Sequence, residues 1–408
     1  VTFSVTDSYD NTVANTVMVT TAGSDYTPFG PTRLLDTRYG TGAPKAKVQP
    51  HTSATVQIGG NHGIPTDVTA VVLNVTVTNT SANGYITSYG DGEGIPSTSN
   101  LDYAAHTTIP NQVIVPTGPD GAVGLYNGGS GPVDLIADIA GYFTGTASSG
   151  YTPLTPDRLI DTRYGTGTTK QQLAGGSSLT AQIAGNDGGL LPTSGVTAVA
   201  LNVTVTGSKA AGYLSVYPDG TNTPLASNVN FTVGQTVANA VISPVGADGR
   251  IRVYNGGSKP ASVIVDVVGY YSAAGKSAYL PIAPTRLLDT RASTWTSGPL
   301  RPGGYIYMPL SNGYPDITGF VLNSTVTETT GDGYLTVSPD PNTMAQYQNG
   351  TQRWPAMPAA STLNWLPRQT VANLVQANDG ANGIIDFWNT GTGNIALIVD
   401  AFGYYQND

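Results

Sequence analysis

The chain contains no cysteine, which excludes disulfides and cysteine-based zinc or redox centres. Secreted eukaryotic β proteins of this size often carry disulfides, so the absence points toward a bacterial exoprotein. Charge is scarce too: Asp, Glu, Lys and Arg make up 11% of 408 residues. With 17 basic residues and a net charge of −9, no basic face is available to neutralise phosphates, and no nucleic-acid partner is expected. No apolar run approaches the ~20 residues of a membrane helix, so no membrane insertion is expected. No window sustains an apolar period of 3.6 residues, which argues against amphipathic helices. Histidine is confined to His51, His62 and His106. No P-loop, HExxH, GxSxG or dinucleotide fingerprint occurs.

What is present is Gly, Val, Ala and Tyr with many Thr, Ser and Asn, the composition of short strands joined by turns. Internal comparison organises it. YTPFGPTRLLDTR begins at Tyr26, YTPLTPDRLIDTR at Tyr151 and YLPIAPTRLLDTR at Tyr279. Each copy then passes the same landmarks. VVLNVTVT (71–78) matches VALNVTVT (199–206) and FVLNSTVT (320–327). GYITSYGDG (84–92) matches GYLSVYPDG (212–220) and GYLTVSPDP (333–341). TSNLDY (98–103) matches ASNVNF (226–231) and STLNWL (361–366). The copies close on LYNGGSGPVDLIADIAGYF (125–143), VYNGGSKPASVIVDVVGYY (253–271) and FWNTGTGNIALIVDAFGYY (387–405). Residues alternate apolar and polar along most of these segments, and Asp-Gly and Asn-Gly pairs mark tight turns. The expectation is an all-β chain of three tandem antiparallel β-sandwich or barrel domains, each about 120–130 residues long.

The expected units are 25–147, 148–276 and 277–408, preceded by a hairpin and linker over 1–24. TGTASSG (144–150) and SAAGKSA (272–278) read as flexible joints. The N-terminal VTFSVTDSYDNTVANTVMV resembles the last hairpin of a PKD-type immunoglobulin-like domain, which makes this chain part of a longer exoprotein; the alternative is a hairpin belonging to the first repeat. As an ordered set, RLLDTR, LNVTVT, GYLxVYPDG, SNxN, TVAN, VYNGGS and VDVxGYY resemble a domain of secreted and cell-surface proteins from actinobacteria and related soil bacteria. The resemblance implies a secreted or surface accessory role. It implies no catalytic residues.

The Arg-Asp-Arg sets are the densest charge in the chain: Arg33, Asp36 and Arg38; Arg158, Asp161 and Arg163; Arg286, Asp289 and Arg291. A further acid recurs inside each apolar closing strand, at Asp138, Asp266 and Asp400. A buried acid is costly unless paired, so one arginine of each motif is expected to reach it, giving a structural network of two Arg and two Asp per repeat. The alternative is recognition of a carboxylate or sugar by a guanidinium. On a regular strand Asp36 and Arg38 share a face and Arg33 lies opposite. Asn74, Asn202 and Asn323 recur, as do Asn111, Asn239 and Asn373; their amides suit backbone edges or sugar hydroxyls. Asp91, Glu93, Asp219 and Asp340 lie in turns and read as turn chemistry rather than a calcium loop. Catalytic residues, metal ligands and cofactors are not expected.

What is not repeated is aromatic. All four tryptophans fall in the third copy, and 341–360 is a loop the siblings lack. Tyr347, Arg353, Trp354, Trp365 and Trp388 form a candidate glycan platform, with flat rings beside polar groups. The alternative places Trp365 and Trp388 in the core. The reading is a non-enzymatic secreted or cell-surface structural or adhesion module. A carbohydrate-binding module for polysaccharide or cell-wall glycan is the second reading. A self-associating subunit of a filament or surface layer is the third.

Overall fold

The computed structural model describes residues 2–6, 12–16, 23–295 and 297–407. A hairpin, β1 (Thr2–Thr6) and β2 (Thr12–Thr16), comes first. Val1 and residues 7–11 and 17–22 of the expected hairpin and linker lie outside the described residues. The first repeat supplies β3 (Asp25–Asp36), β4 (Ser53–Gln57), β5 (Ala70–Thr78), β6 (Gly84–Gly90), β7 (Leu101–Tyr103), β8 (Ile109–Pro116), β9 (Ala122–Asn127) and β10 (Asp134–Thr144). The second supplies β11 (Gly150–Asp161), β12 (Ser178–Gln182), β13 (Val196–Thr206), β14 (Gly212–Pro218), β15 (Val229–Phe231), β16 (Val237–Pro244), β17 (Arg250–Asn255) and β18 (Ser262–Ser272). The third supplies β19 (Ser277–Asp289), β20 (Tyr305–Met308), β21 (Ile317–Thr327), β22 (Gly333–Pro339), β23 (Leu363–Trp365), β24 (Val371–Asn378), β25 (Ile385–Asn389) and β26 (Ala396–Asn407). A short helix, α1 (Met344–Gln348), stands in the loop peculiar to this repeat, started by a capping box between Thr343 and Gln346.

The chain is all-β, and each repeat is an antiparallel sandwich. In the first, an inner sheet of order β3-β10-β5-β8 packs on an outer sheet of order β4-β9-β6-β7. The other two repeats follow the same order. The closing strand β10 pairs with β3 and β5 along its two edges, and its faces are covered by the sandwich core on one side and the neighbouring repeats on the other, which accounts for its continuous apolar run. Each sandwich has its own core, built in the first repeat around Leu35, Leu73, Val75, Ile86, Leu125 and Ile139.

A fourth core belongs to no single repeat. The second face of the three inner sheets closes on a common axis, where Tyr26, Tyr151 and Tyr279 meet Phe143, Tyr271 and Tyr405. Tyr26 stacks on Tyr271 at 4.3 Å and Tyr151 on Tyr405 at 4.2 Å; Phe143 meets Tyr279 at 4.7 Å. Each contact joins one repeat to the next, and the third closes back on the first. The hydroxyls of Tyr26 and Tyr279 donate to the carbonyls of Ala140 and Phe402 at 2.7 and 2.8 Å, and that of Tyr151 donates to Val268 at 3.2 Å. Glycine makes room for them. A Cβ at Gly141 or Gly269 would lie 2.2 or 2.1 Å from the hydroxyl of Tyr26 or Tyr151, and one at Gly403 would lie 2.4 Å from the Tyr279 ring.

The strand starts interlock in the same cycle. Tyr26 bridges Ser149, Tyr151 pairs with Ser277, and Ser24 bridges Tyr279. The segments read as flexible joints are therefore fixed turns: Gly275 N donates to Ser272 O at 3.0 Å, and Gly150 and Gly275 pack so closely that a Cβ on either would strike the other's backbone. Within this chain the hairpin pairs with the third repeat rather than the first. Its β1 pairs with β20 through Thr6 and Tyr307, extending the third repeat's outer sheet. The sheet register also shifts one landmark. Trp365 pairs with Gly333 as Tyr103 pairs with Gly84, so Leu363 rather than Asn364 is equivalent to Leu101.

Candidate functional site

The RLLDTR sequence sits at the end of each first strand, beside the closing strand. Ala137 pairs with Leu35 and Asp138 with Arg33, which leaves Leu34 as an extra residue. This bulge changes the parity of the strand and brings Arg33 to the face of Asp36. Arg33 Nε and Nη2 then donate to Asp138 at 2.9 and 3.2 Å, while Nη1 donates to Asp36 at 3.2 Å. Arg38 grips Asp36 from the other side at 2.9 and 2.7 Å. The second repeat repeats the set: Arg158 to Asp266 at 2.6 Å and Asp161 at 3.2 Å, and Arg163 to Asp161 at 2.7 Å. The third does so with Arg286 and Asp400 at 2.8 Å, Arg286 and Asp289 at 3.6 Å, and Arg291 and Asp289 at 2.6 Å.

The two acids of each set titrate in opposite directions. Burial alone would raise Asp36, Asp161 and Asp289; hydrogen bonds and charge from Arg38, Arg163 and Arg291 outweigh it and hold them below the usual carboxylate range. In Asp138, Asp266 and Asp400 burial prevails over the single arginine and raises the carboxyl. The network also reaches between repeats. Arg33 Nη2 donates to Leu225 O at 3.2 Å, and Arg158 Nη2 to Ala359 O at 3.4 Å, each in the following repeat.

The recurrent asparagines do the same. Asn74 donates to Ser227 O at 2.9 Å, Asn202 to Ser361 O, and Asn323 to Ser99 O at 2.8 Å, which completes the cycle. Asn111 and Asn373 donate to Asn323 and Asn202 at 3.1 and 3.0 Å. Asn239 donates to Asn228 O at 2.6 Å within its own repeat. All these amides are buried. One departure marks the ring-closing interface: Asp102 stands where the siblings have Asn230 and Asn364. Burial, opposed by the Ser99 hydroxyl and with Asp400 adding to it, raises its carboxyl to about 6.

The histidines lie apart, at left-handed turns. His51, His62 and His106 have φ of 59°, 49° and 61°. Gly176 and Gly303 take the place of His51, and Gly234 takes that of His106. The turn acids diverge as well. Asp91 accepts from Thr55 Oγ1 at 3.4 Å, Asp219 pairs with Arg252 at 2.5 Å, Asp340 is buried, and Glu93 is exposed. Among the described residues no three His, Cys, Asp or Glu side chains gather at one point.

The aromatic residues of the third repeat separate into two groups. Trp365 is buried in the sandwich core and donates to Gly331 O at 3.0 Å. It is not part of a surface platform, because β23 turns it inward at the position of Tyr103 and Phe231. Trp388 faces outward on β25 but is buried beneath Tyr305, stacked at 4.5 Å. Tyr347 of α1 is buried too, stacked on Tyr307 at 3.9 Å. Arg353 and Trp354 are exposed. Trp354 is 70% exposed, with its ring meeting Tyr305 and Trp388 edge-on at 5.0 and 5.9 Å. Sequence reasoning missed Tyr305 and Tyr307, whose signal was their replacement of Ser53 and Thr55 in the first repeat. It also missed the exposed Tyr39 and Tyr164, each beneath its neighbouring arginine at 5.1 Å.

No family model and no curated protein matches the chain. Solved structures do. One, described as the triple jelly roll fold and turret assembly in an archaeal virus, is 9% identical over 88% of this chain and 84% of its own, with a TM-score of 0.19. Another, an atomic structure of Sulfolobus Turreted Icosahedral Virus, is 9% identical over 98% and 87%, also at 0.19. Likeness at that level carries no functional argument.

Proposed function

We propose that the chain is a non-enzymatic, exported structural or adhesion module of the extracellular space or cell surface. The observation that supports this most is the use made of the repeated groups. The Arg-Asp sets tie first strand to last, the asparagines and axial tyrosines tie repeat to repeat, and no nucleophile–base pair recurs among the described residues. A body of three sandwiches joined on a shared core suits contact with an extended surface. Adsorption of the labelled protein to bacterial cells, cell-wall preparations and insoluble polysaccharides tests the reading. Retention on one of these, without release of soluble product, is expected; no retention on any, or hydrolysis of the matrix, overturns it.

A second reading, glycan recognition by the third repeat, is favoured by the exposed Trp354 ring beside Arg353. A glycan array with the native protein and Trp354→Ala distinguishes the two. Binding lost in the variant supports a lectin site; retention that ignores the substitution leaves adhesion to the shared flanks.

A further inference from the structure

The turn after each RLLDTR strand is built alike in the first two repeats and differently in the third. After Asp36 the chain runs TRYGTGAPK and after Asp161 TRYGTGTTK, but after Asp289 it runs TRASTWTSG. In the first two, the N–H groups of residues 39–41 and 164–166 fold back on the carbonyl of Asp36 or Asp161 at 2.8–3.3 Å. A Cβ at Gly40 or Gly165 would lie 3.4 or 3.3 Å from the Cβ of Lys45 or Lys170, so each lysine stem starts beside the glycine that follows the tyrosine.

Both turns therefore hold up a tyrosine ring, 73% exposed at Tyr39 and 72% at Tyr164, between two cations. The guanidinium of Arg38 or Arg163 lies 5.1 Å from the ring centre. Its Nε and Nη2 donate to Asp36 or Asp161, while Nη1 has no partner among the described residues. Lys45 and Lys170 are exposed, with no ion pair or hydrogen bond among the described residues. The clasp does not require this set. The third repeat keeps Arg291 on Asp289 at 2.6 Å, yet it has Ala292 in place of the tyrosine, no lysine in the turn, and Trp295 turned into its core. A ring left in water contributes no burial to folding, so the fold leaves the two tyrosines unexplained.

The chemistry on offer is a flat apolar ring edged by a free guanidinium N–H and an ammonium. Such a ring stacks on the C–H face of a pyranose, and the two cations suit a carboxylate. We propose that Arg38, Tyr39 and Lys45, and likewise Arg163, Tyr164 and Lys170, form two equivalent binding sites for a uronic acid residue of an acidic polysaccharide. On the adhesion reading, on which this rests, the sites give the module a ligand class and two points of attachment, neither involving Trp354.

Affinity electrophoresis of the full chain in native gels containing polygalacturonate tests the proposal, with methyl-esterified polygalacturonate and single-stranded DNA as comparison polymers. Retardation by polygalacturonate is expected, with little by the other two. Loss of one of two linked sites removes avidity, so Tyr39→Ala and Tyr164→Ala should each lower apparent affinity more than about tenfold, and the double variant should migrate unretarded. Lys45→Gln combined with Lys170→Gln should lower it about fivefold. All these side chains are exposed, and thermal unfolding checks that the variants stay folded. Unretarded native protein, a double tyrosine variant retarded like the native one, or loss of retardation in Trp354→Ala overturns the proposal. Equal retardation by the ester or by DNA overturns the ligand class. Retention on cells, cell walls or other polysaccharides without retardation by polygalacturonate sinks these sites and leaves the adhesion reading standing; no retention on any matrix sinks both.

Discussion

At the axis the three repeats place equivalent side chains at equivalent points: a tyrosine from each first strand, a glycine beneath it, and Phe143, Tyr271 or Tyr405 from each closing strand. On the outer sheets they part company. At one register position the first repeat has Gly124, the second Arg252 and the third Asp386. The axis can tolerate little change, because each ring packs against the next repeat and close-packed interiors resist added volume. The outer sheets share contacts too, since Asn127, Asn255 and Asn389 each donate to two backbone carbonyls, but the side chain at this register position is not among them. The comparison places the specification of the ring in what all three copies share and the candidate chemistry in what they do not.

A single methyl group is enough to break the axial side of the comparison. Gly269→Ala places a Cβ 2.1 Å from the Tyr151 hydroxyl, and a loss of about 3 kcal/mol is expected, at the upper end for overpacking. Gly94→Ala, where nothing lies within 4 Å, should shift stability by less than about 0.5 kcal/mol. Thermal or denaturant unfolding measures both, and equal effects would refute the close-packing argument.

The clasp comes next, and here the two arginines of one motif should differ. Arg33→Ala leaves the buried Asp138 without its ion pair and is expected to cost about 3–5 kcal/mol. Arg38→Ala leaves Asp36 held by Arg33, so its cost should be smaller. Urea unfolding of the two variants ranks them. The reverse order would mean that Asp138 is satisfied by something other than Arg33.

Much of this was legible in one sequence, and the missing part has a physical reason. Alternation and turn residues announced an all-β chain, and three aligned copies exposed the charges that recur together. Alternation alone put Arg33 on the wrong face, because a one-residue bulge leaves no mark in the residue pattern. Contacts between repeats were hidden for a related reason. VVLNVTVT reads as apolar and polar faces, yet all nine residues of β5 are buried, since the inner sheet packs on its sandwich core and against the neighbouring repeats. Tryptophan marked the third repeat as different, and of the two readings it allowed for Trp365 and Trp388, packed surroundings rather than an open platform is the one found.

Smaller effects sharpen the comparison. The ring-closing interface differs from the other two by Asp102, whose raised carboxyl binds its proton more tightly folded than unfolded. Its contribution is fully present below the unfolded value near 4 and fades as pH rises through about 6. Asp102→Asn should therefore raise the melting temperature more at pH 8 than at pH 4; a uniform or reversed shift contradicts the assignment. A further small change is expected of His106→Gly. At φ 61°, where the second repeat has Gly234, glycine removes left-handed strain and should stabilise by about 1 kcal/mol in thermal unfolding.

The central claim, that three repeats form one closed body, is tested most directly by differential scanning calorimetry of the intact chain. A single transition is expected, with the calorimetric enthalpy close to the van't Hoff enthalpy, and Gly269→Ala should move all of it. Three separable transitions, or a substitution at Gly269 that lowers only the second repeat's share, would contradict it.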